Sequence, residues 1–379
     1  MSAAVTRAAV TRNTSTGAAS TGAAAEGFWT GRRVLLTGHT GFKGAWLHLW
    51  LRLLGADVTG FALPPATEPS LWSLIGEDSR SVLGDIRDAD LVRNVVASVD
   101  PEIVIHMAAQ ALVRESYRDP VATYATNVQG TAILLASLRA APRLEATVVV
   151  TSDKVYANDA AGRAFDESDR LGGHDPYSSS KACTEILTAS FRDSFFAGGA
   201  ALATARAGNV IGGGDWSTDR LIPDCMRALG EGRPVRLRNP GAVRPWQHVL
   251  EPLSGYLALA QALVQSPALA PTAVNFGPDP ASFRSVSEVV ETFSARFAGA
   301  PGWEADLGSH PAEAPHLTLA SDLAWRTLGW TWSLDLEQSL AWTADWYRAQ
   351  RAGENMLEVT LSQLHRYREI RRARVPVPA

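Results

Sequence analysis

Two short stretches carry the residue types best suited to moving protons. In Asp175-Pro176-Tyr177-Ser178-Ser179-Ser180-Lys181, a phenol and an amine stand at positions i and i+4. Proline suits the first turn of a helix, and residues at that spacing share one helical face. An ammonium beside a phenol is expected to lower the phenol's pKa from about 10 toward the working range. The phenolate of Tyr177 can then take the proton of an alcohol as hydride leaves the same carbon, with Lys181 as its partner. The second stretch, Thr151-Ser152-Asp153-Lys154, ends a predicted strand. Ser152 can hydrogen-bond the same oxygen. Asp153 and Lys154 go beyond what oxidation needs, since eliminating water takes one group to protonate a leaving hydroxyl and another to remove a carbon-bound proton. Asp153 is read as that acid and Lys154 as the base, the alternative being a local ion pair that orients the strand end. Tyr347/Arg351 and Tyr367/Arg371 repeat the spacing with arginine and read as surface pairs.

These groups need a partner that accepts hydride, and the sequence offers a place for one. Val34-Leu35-Leu36-Thr37 reads as a buried strand, Gly38, Gly41 and Gly44 follow, and Ala45–Leu54 reads as a helix with a broad apolar face. Strand, glycine turn and helix form the context in which a pyrophosphate sits at a helix N-terminus. The spacing is G-x-x-G-x-x-G. Further strands are predicted at 57–63, 81–84, 103–106 and 146–151, with helices at 88–99 and 119–140. This alternation predicts an α/β fold, a Rossmann-like doubly wound parallel sheet with its ligand beyond the carboxyl ends of the strands. Gly38, Asp85, Met107 to Gln110 and Ser152 would line one crevice there. The second strand ends in Leu63-Pro64-Pro65, with neither an acid for a ribose hydroxyl nor an arginine for a 2′-phosphate, which favours NAD over NADP. Asp85 is read either as a partner of the adenine amino group or as a helix cap.

Length and composition bound the rest. At 379 residues, 46% hydrophobic and 20% charged, the chain has room for a large core and an added lobe. A net charge of −4 gives no electrostatic case for nucleic acid. The two cysteines make no disulfide framework, no Cys/His cluster has zinc spacing, and no apolar segment is long enough for a membrane, so a cytoplasmic protein without metal is expected. Only three of the 35 basic residues are lysines, Lys43, Lys154 and Lys181, and all three fall in the stretches above. Residues 1–26 read as a disordered extension, 27–208 as the cofactor-binding domain, and 209–379 as a smaller mixed substrate-binding lobe, partly interleaved with it. In that lobe, helices are predicted at 223–230, 251–264, 285–297 and 336–351, with strands at 235–238 and 246–249. Most of Trp303, Trp325, Trp330, Trp332, Trp342 and Trp346 are expected in the core, and the arginines of 366–374 on a solvated helix face.

The glycine motif, His106-Met107-Ala108-Ala109-Gln110, Ser152-Asp153-Lys154, Asp175-Pro176-Tyr177, the run from Arg206 to Trp216, Arg220-Leu221-Ile222-Pro223-Asp224 and Arg244-Pro245-Trp246-Gln247-His248-Val249 together resemble the extended short-chain dehydrogenase/reductase superfamily. Within it the chain is similar to the nucleotide-sugar 4,6-dehydratases that act on CDP-glucose. The relatives that act on thymidine-diphosphate sugars carry Asp-Glu where this chain has Asp153-Lys154. The resemblance implies that NAD is bound by Gly38, Thr40, Gly41, Phe42, Lys43, Gly44, Asp85, Ile86, Ala108, Ala109, Gln110, Asn127, Tyr177 and Lys181. It implies that Tyr177 deprotonates the sugar 4-hydroxyl and that Asp153 protonates the departing 6-hydroxyl. Asn209 and Arg244 would hold the diphosphate, Val235 to Asn239 would border the base, and Arg114, Arg220, Arg236 and His248 complete the substrate set. It also implies a homodimer, or a dimer of dimers, through the 119–140 helix and the helix of Tyr177. Two readings compete: a 4-epimerase of the same fold, and a non-catalytic NAD-binding regulator. The chain departs from the family pattern at Val155, where a cysteine is usual, and at His310-Pro311-Ala312-Glu313-Ala314-Pro315-His316-Leu317.

Overall fold

A computed structural model describes residues 27–374 except 77–79, 159–161 and 309–315. The 1–26 extension and most of the 310–317 segment therefore lie outside the described residues. Seven parallel strands form the central sheet: β1 (Arg33–Thr37), β2 (Asp57–Ala62), β3 (Ser81–Leu83), β4 (Ile103–His106), β5 (Ala146–Val150), β6 (Ala201–Ala207) and β7 (Ala273–Phe276), in the order β7-β6-β5-β4-β1-β2-β3. The fold is thus the doubly wound α/β architecture that the alternation predicts.

Strands β1, β4 and β5 are apolar runs because both of their faces are covered. Val34 and Leu36 face one core with Ile103, Ile105, Val148 and Val150, while Leu35, Val104 and Val149 face the other. Helix α1 (Phe42–Leu53) and helix α4 (Leu250–Gln265) pack over the first core. Helix α2 (Ala89–Val99) and the helix Gly130–Leu138 pack over the second. Helix α3 (Pro176–Phe195) starts at Asp175, whose carboxylate accepts the amide of Ser178 at 2.9 Å, and Pro176 fills the first turn.

Several boundaries differ from the sequence reading. Helix α1 begins at Phe42, inside the glycine motif, three residues before the predicted start. The 119–140 helix is interrupted by a π-helical turn at Ala125–Gln129. Asp88 caps α2, so Asp85 is not that cap; its carboxylate instead binds the guanidinium of Arg87, which lowers its pKa below the usual carboxylate value. Strands β6 and β7 have no counterpart in the sequence reading. Strand β7 follows Asn209 by more than sixty residues yet pairs with β6 in the main sheet. Tyr347 and Tyr367 are buried, not surface residues: Tyr347 donates to the Asp215 carbonyl at 2.6 Å and Tyr367 to Glu251 at 2.8 Å. Trp330, Trp342 and Trp346 are core, whereas Trp325 is 58% exposed. Among the described residues no helix is long and apolar enough to cross a membrane.

Candidate active site

One crevice of about 740 Å³ opens at the carboxyl ends of the strands. Its cofactor end is shaped by backbone. Gly38 has φ +78°, and a Cβ there would stand 2.7 Å from the Ala108 amide. A Cβ on Gly44 would come to 2.0 Å from the Gly38 carbonyl oxygen. Only hydrogen fits at either position, so the turn and the helix pack tightly enough to bring backbone amides to the rim. Helix α1 has Gly41 at its N-cap, with no side-chain cap and no acidic residue in its first turn. Its positive end is left for an anion. Thr40 donates to the Leu63 carbonyl at 2.8 Å, closing the loop on the end of β2. The cradle fits a dinucleotide pyrophosphate, and the adjoining wall of Leu63, Asp85, Ile86 and Ala108 to Gln110 fits an adenosine.

Asn127 does not line the crevice. From the π-turn it donates to the Gln110 carbonyl at 3.0 Å and to Ser180 at 2.8 Å, and accepts the Gln110 amide at 2.8 Å. It holds the crevice wall to α3. Ser116 adds a second tie by donating its hydroxyl to Val113 and accepting the Tyr177 amide at 3.1 Å.

Ser152, Asp153, Lys154, Tyr177 and Lys181 all line the crevice. Asp153 is 3% exposed; its Oδ1 accepts from Ser152 at 2.9 Å, and its Oδ2 is buried without a hydrogen-bond partner. Burial pushes this carboxyl above its ordinary pKa, against the opposing pull of Lys154, Ser152 and Arg244. The neutral acid, which carries a proton to give, is favoured in such a place. Lys154 is half-buried and donates its backbone amide to Ser152 at 3.2 Å.

The phenol does not follow the sequence reading. Tyr177 is raised, not lowered, because burial outweighs the Ser152 hydrogen bond and the Arg220 charge that act against it. Lys181 spends its ammonium on the Val150 carbonyl at 3.1 Å, and burial brings its pKa down to about 8. Lys43, from the glycine motif, is half-buried, donates to the Tyr256 hydroxyl of α4 at 2.8 Å, and is lowered to about 7 by desolvation of its ammonium and by the charges of Arg220 and Lys181.

The far end of the crevice is basic. Arg114, Asn209, Arg220, Arg236, Asn239 and Arg244 line it as the sequence leads one to expect. Val235 and His248 do not. Both are buried in the core, His248 between Trp46 and Trp342 with its pKa lowered to about 3 by burial. Sequence reasoning missed Asp219. Asp219 accepts from Arg114 at 2.8 Å and lies 3.5 Å from Arg238, tying the sheet side of the crevice to the lobe. Its backbone has φ +60°, which nothing in the sequence signals. Glu185, below Lys181 on α3, was also missed, although Tyr177, Lys181 and Glu185 continue one i, i+4 series.

Comparison with known proteins agrees with this geometry. Residues 34–277 match the NAD dependent epimerase/dehydratase family. The chain is 44% identical over 348 residues to the CDP-glucose 4,6-dehydratase of Salmonella typhimurium, covering 90% of this chain and 97% of that enzyme. Among solved structures it is similar to an epimerase of Methanothermobacter thermautotrophicus (TM-score 0.78, 22% identity, 87% of this chain and 96% of that one). It also resembles a dTDP-glucose 4,6-dehydratase of Bacillus anthracis in complex with NAD (TM-score 0.68, 21% identity, 86% and 99%). The first structural match and the second share the fold; the family match and the Salmonella relative carry more. The chain is a member of the NAD dependent epimerase/dehydratase family.

Proposed function

We propose that the protein is an NAD-dependent nucleotide-sugar 4,6-dehydratase, a hydro-lyase that converts CDP-glucose to its 4-keto-6-deoxy derivative. The observation that carries this reading is Asp153: a buried, partnerless carboxyl oxygen in the same crevice as Tyr177 and Lys181. An epimerase has no hydroxyl to expel and no use for a proton held there. The 44% identity over nearly the whole length of a CDP-glucose 4,6-dehydratase supports the same reading.

The cofactor would be held by the Gly38–Gly44 turn, the first turn of α1, Asp85, Ile86 and the Ala108–Gln110 wall. Bound there, NAD would supply the reversible hydride acceptor that the protein's own side chains lack. Tyr177 takes the 4-hydroxyl proton, with Ser152 hydrogen-bonding the same oxygen and Lys181 stabilising the phenolate. Once carbon 4 is a ketone, the proton on carbon 5 is acidic, and Lys154 removes it. Asp153 protonates the departing 6-hydroxyl. Arg244, Arg220 and Asn209 hold the diphosphate, where a fixed guanidinium fork suits paired oxygens. Arg236 to Asn239 border the base. Residues 27–208 act as the cofactor-binding part and 209–379 as the substrate-binding part, the latter lending β7 to the sheet of the former.

We also infer a cytoplasmic homodimer, or a dimer of dimers. Val121 and Ile186, on neighbouring helices, are 78% and 60% exposed, an apolar surface that a second copy would cover. Light scattering in solution tests that part. The function is tested by incubation with CDP-, dTDP-, UDP- and GDP-glucose and mass spectrometry of the products. Loss of one water from CDP-glucose, without lasting reduction of the cofactor, is expected. A product of unchanged mass but altered stereochemistry would establish the epimerase, and NAD binding without turnover of any sugar would establish the regulator.

A further inference from the structure

Beneath the crevice floor lies an ion pair that the reaction does not touch. Glu185 of α3 and Arg206 of β6 are both buried, and the guanidinium meets the carboxylate through Nε at 2.9 Å and Nη2 at 2.8 Å. Each carboxylate oxygen takes a second bond, from Thr151 to Oε1 and from Thr204 to Oε2, the latter at 2.6 Å. Arg206 also donates to the Tyr156 hydroxyl at 2.9 Å and lies over its ring, and Tyr156 donates to Asn275 of β7 at 2.7 Å.

The placement of these bonds is what matters. Thr151 directly precedes Ser152-Asp153-Lys154, and Tyr156 follows the triplet by two residues. One ion pair therefore grips both ends of the segment that bears the acid. Glu185 sits one turn below Lys181 and two below Tyr177 on the same face of α3. We propose that the Glu185–Arg206 pair is the positioning device of this site, with Glu185 locking α3 to the end of β5 so that Tyr177 and Lys181 meet Ser152 and Asp153 in one fixed arrangement.

A simpler anchor would have served if only stability mattered. Buried ion pairs gain little over apolar packing of the same volume, because desolvation offsets the attraction. What the pair adds is direction: four donors converge on one carboxylate, so α3 can neither slide nor rotate against β5 without breaking several bonds together. Glu185 also acts on Lys181 by charge, and it opposes the effect of burial on that ammonium. The other groups facing Lys181 are the Val150 carbonyl of β5, His106 of β4, Lys43 of α1 and Tyr177 on its own helix. His106, lowered to about 3, is neutral at working pH, and Lys43 repels. Glu185 is thus the group that favours the charged form of Lys181.

The chemistry assigned to Tyr177 and Asp153 here rests on the dehydratase reading; the test separates the two. Because the chain has only three lysines, protein labelled with 15N and 13C in lysine alone gives one side-chain signal each for Lys43, Lys154 and Lys181. In Glu185→Gln, the Lys181 signal is expected to titrate at lower pH than in the wild type. Turnover of CDP-glucose is expected to fall by about tenfold or more with little change in KM, as for a misplacement within the site, and the basic limb of the pH profile moves down with Lys181. Glu185→Asp restores the charge but not the reach, so it recovers the titration and only part of kcat. An unmoved Lys181 signal, or an unchanged kcat in folded Glu185→Gln, overturns the proposal. Should that variant fail to fold, Thr151→Val removes one bond to Glu185 and leaves the ion pair; unchanged kcat there overturns it equally. If the wild-type protein dehydrates no sugar, the functional reading falls, and the Lys181 titration alone decides the positioning role.

Discussion

Replacing Asp153 by asparagine isolates the step that separates dehydration from plain oxidation. The side chain keeps its shape, and Asn can still accept from Ser152 where Asp153 now does at 2.9 Å. The partnerless Oδ2 becomes an amide, beside Gly208, where an added Cβ would lie 3.2 Å from that atom. Only the transferable proton is lost. A well-placed general acid is worth about 100- to 10,000-fold, or about 3 to 5 kcal/mol of barrier. The variant should bind NAD and CDP-glucose normally, oxidise the sugar, and stop there, so that absorbance of the reduced nicotinamide builds up while water loss slows by that factor. Stability supplies a second reading. Burial raises the Asp153 pKa above its value in the unfolded chain, so at pH between those two values the native state holds a proton that the unfolded state has released. Native stability from this group is then present at acid pH and declines as pH rises from the ordinary carboxylate pKa through the raised one. Asparagine pays no such cost. The variant should melt higher than the wild type at neutral pH, with the gap closing as pH falls below about 4. Wild-type rates of water loss in Asp153→Asn would remove this residue from its role, and an unchanged melting temperature at neutral pH would refute the cost of burying its carboxyl.

Gly44→Ala tests the cofactor cradle. Its Cβ would sit 2.0 Å from backbone oxygen, which no side-chain rotation can relieve, so calorimetry should show NAD affinity down at least tenfold, about 1.4 kcal/mol; affinity within twofold of wild type would contradict the tight-turn argument. Tyr177→Phe removes the first proton acceptor while leaving the ring in place. Single-turnover absorbance should show no reduction of the cofactor, and a residual rate above about one hundredth of wild type would mean that another group takes the 4-hydroxyl proton.

Much of this site is legible in the sequence because its signals are local. The glycine turn has to follow an apolar strand and open a helix, and Tyr177 and Lys181 have to lie one turn apart, so spacing alone places them. Of the strands it identified, β1, β4 and β5 are rich in Val, Ile and Leu. The two it missed are β6, Ala-Leu-Ala-Thr-Ala-Arg-Ala, and β7, four residues long. Alanine has no marked strand preference, and β6 becomes a strand because β5 and β7 flank it in the sheet. Val235 and His248 were misjudged for the same reason: a run of chain near a crevice gives no sign of which alternate side chains face it. Asp219 and Glu185 depend on partners 105 and 21 residues away, and no local pattern records such pairs.

The error over Tyr177 says most about how the crevice works. The sequence reading treated Lys181 as a charge acting on a phenol in water. In the structure, dryness is the stronger influence on both. Burial raises Asp153 and Tyr177 and lowers Lys181 and Lys43, to about 8 and about 7. All four groups are thereby pushed toward their neutral forms. In water an acid and a base of ordinary pKa ionise each other at once, and the proton then has to be pulled back against a large difference in affinity. Here that difference narrows from both sides, so a proton can leave a sugar hydroxyl and return to another with less climb in either direction. A reaction that begins and ends with the same cofactor and the same protonation state needs that reversibility. The buried floor of the crevice, more than any single charge, provides it.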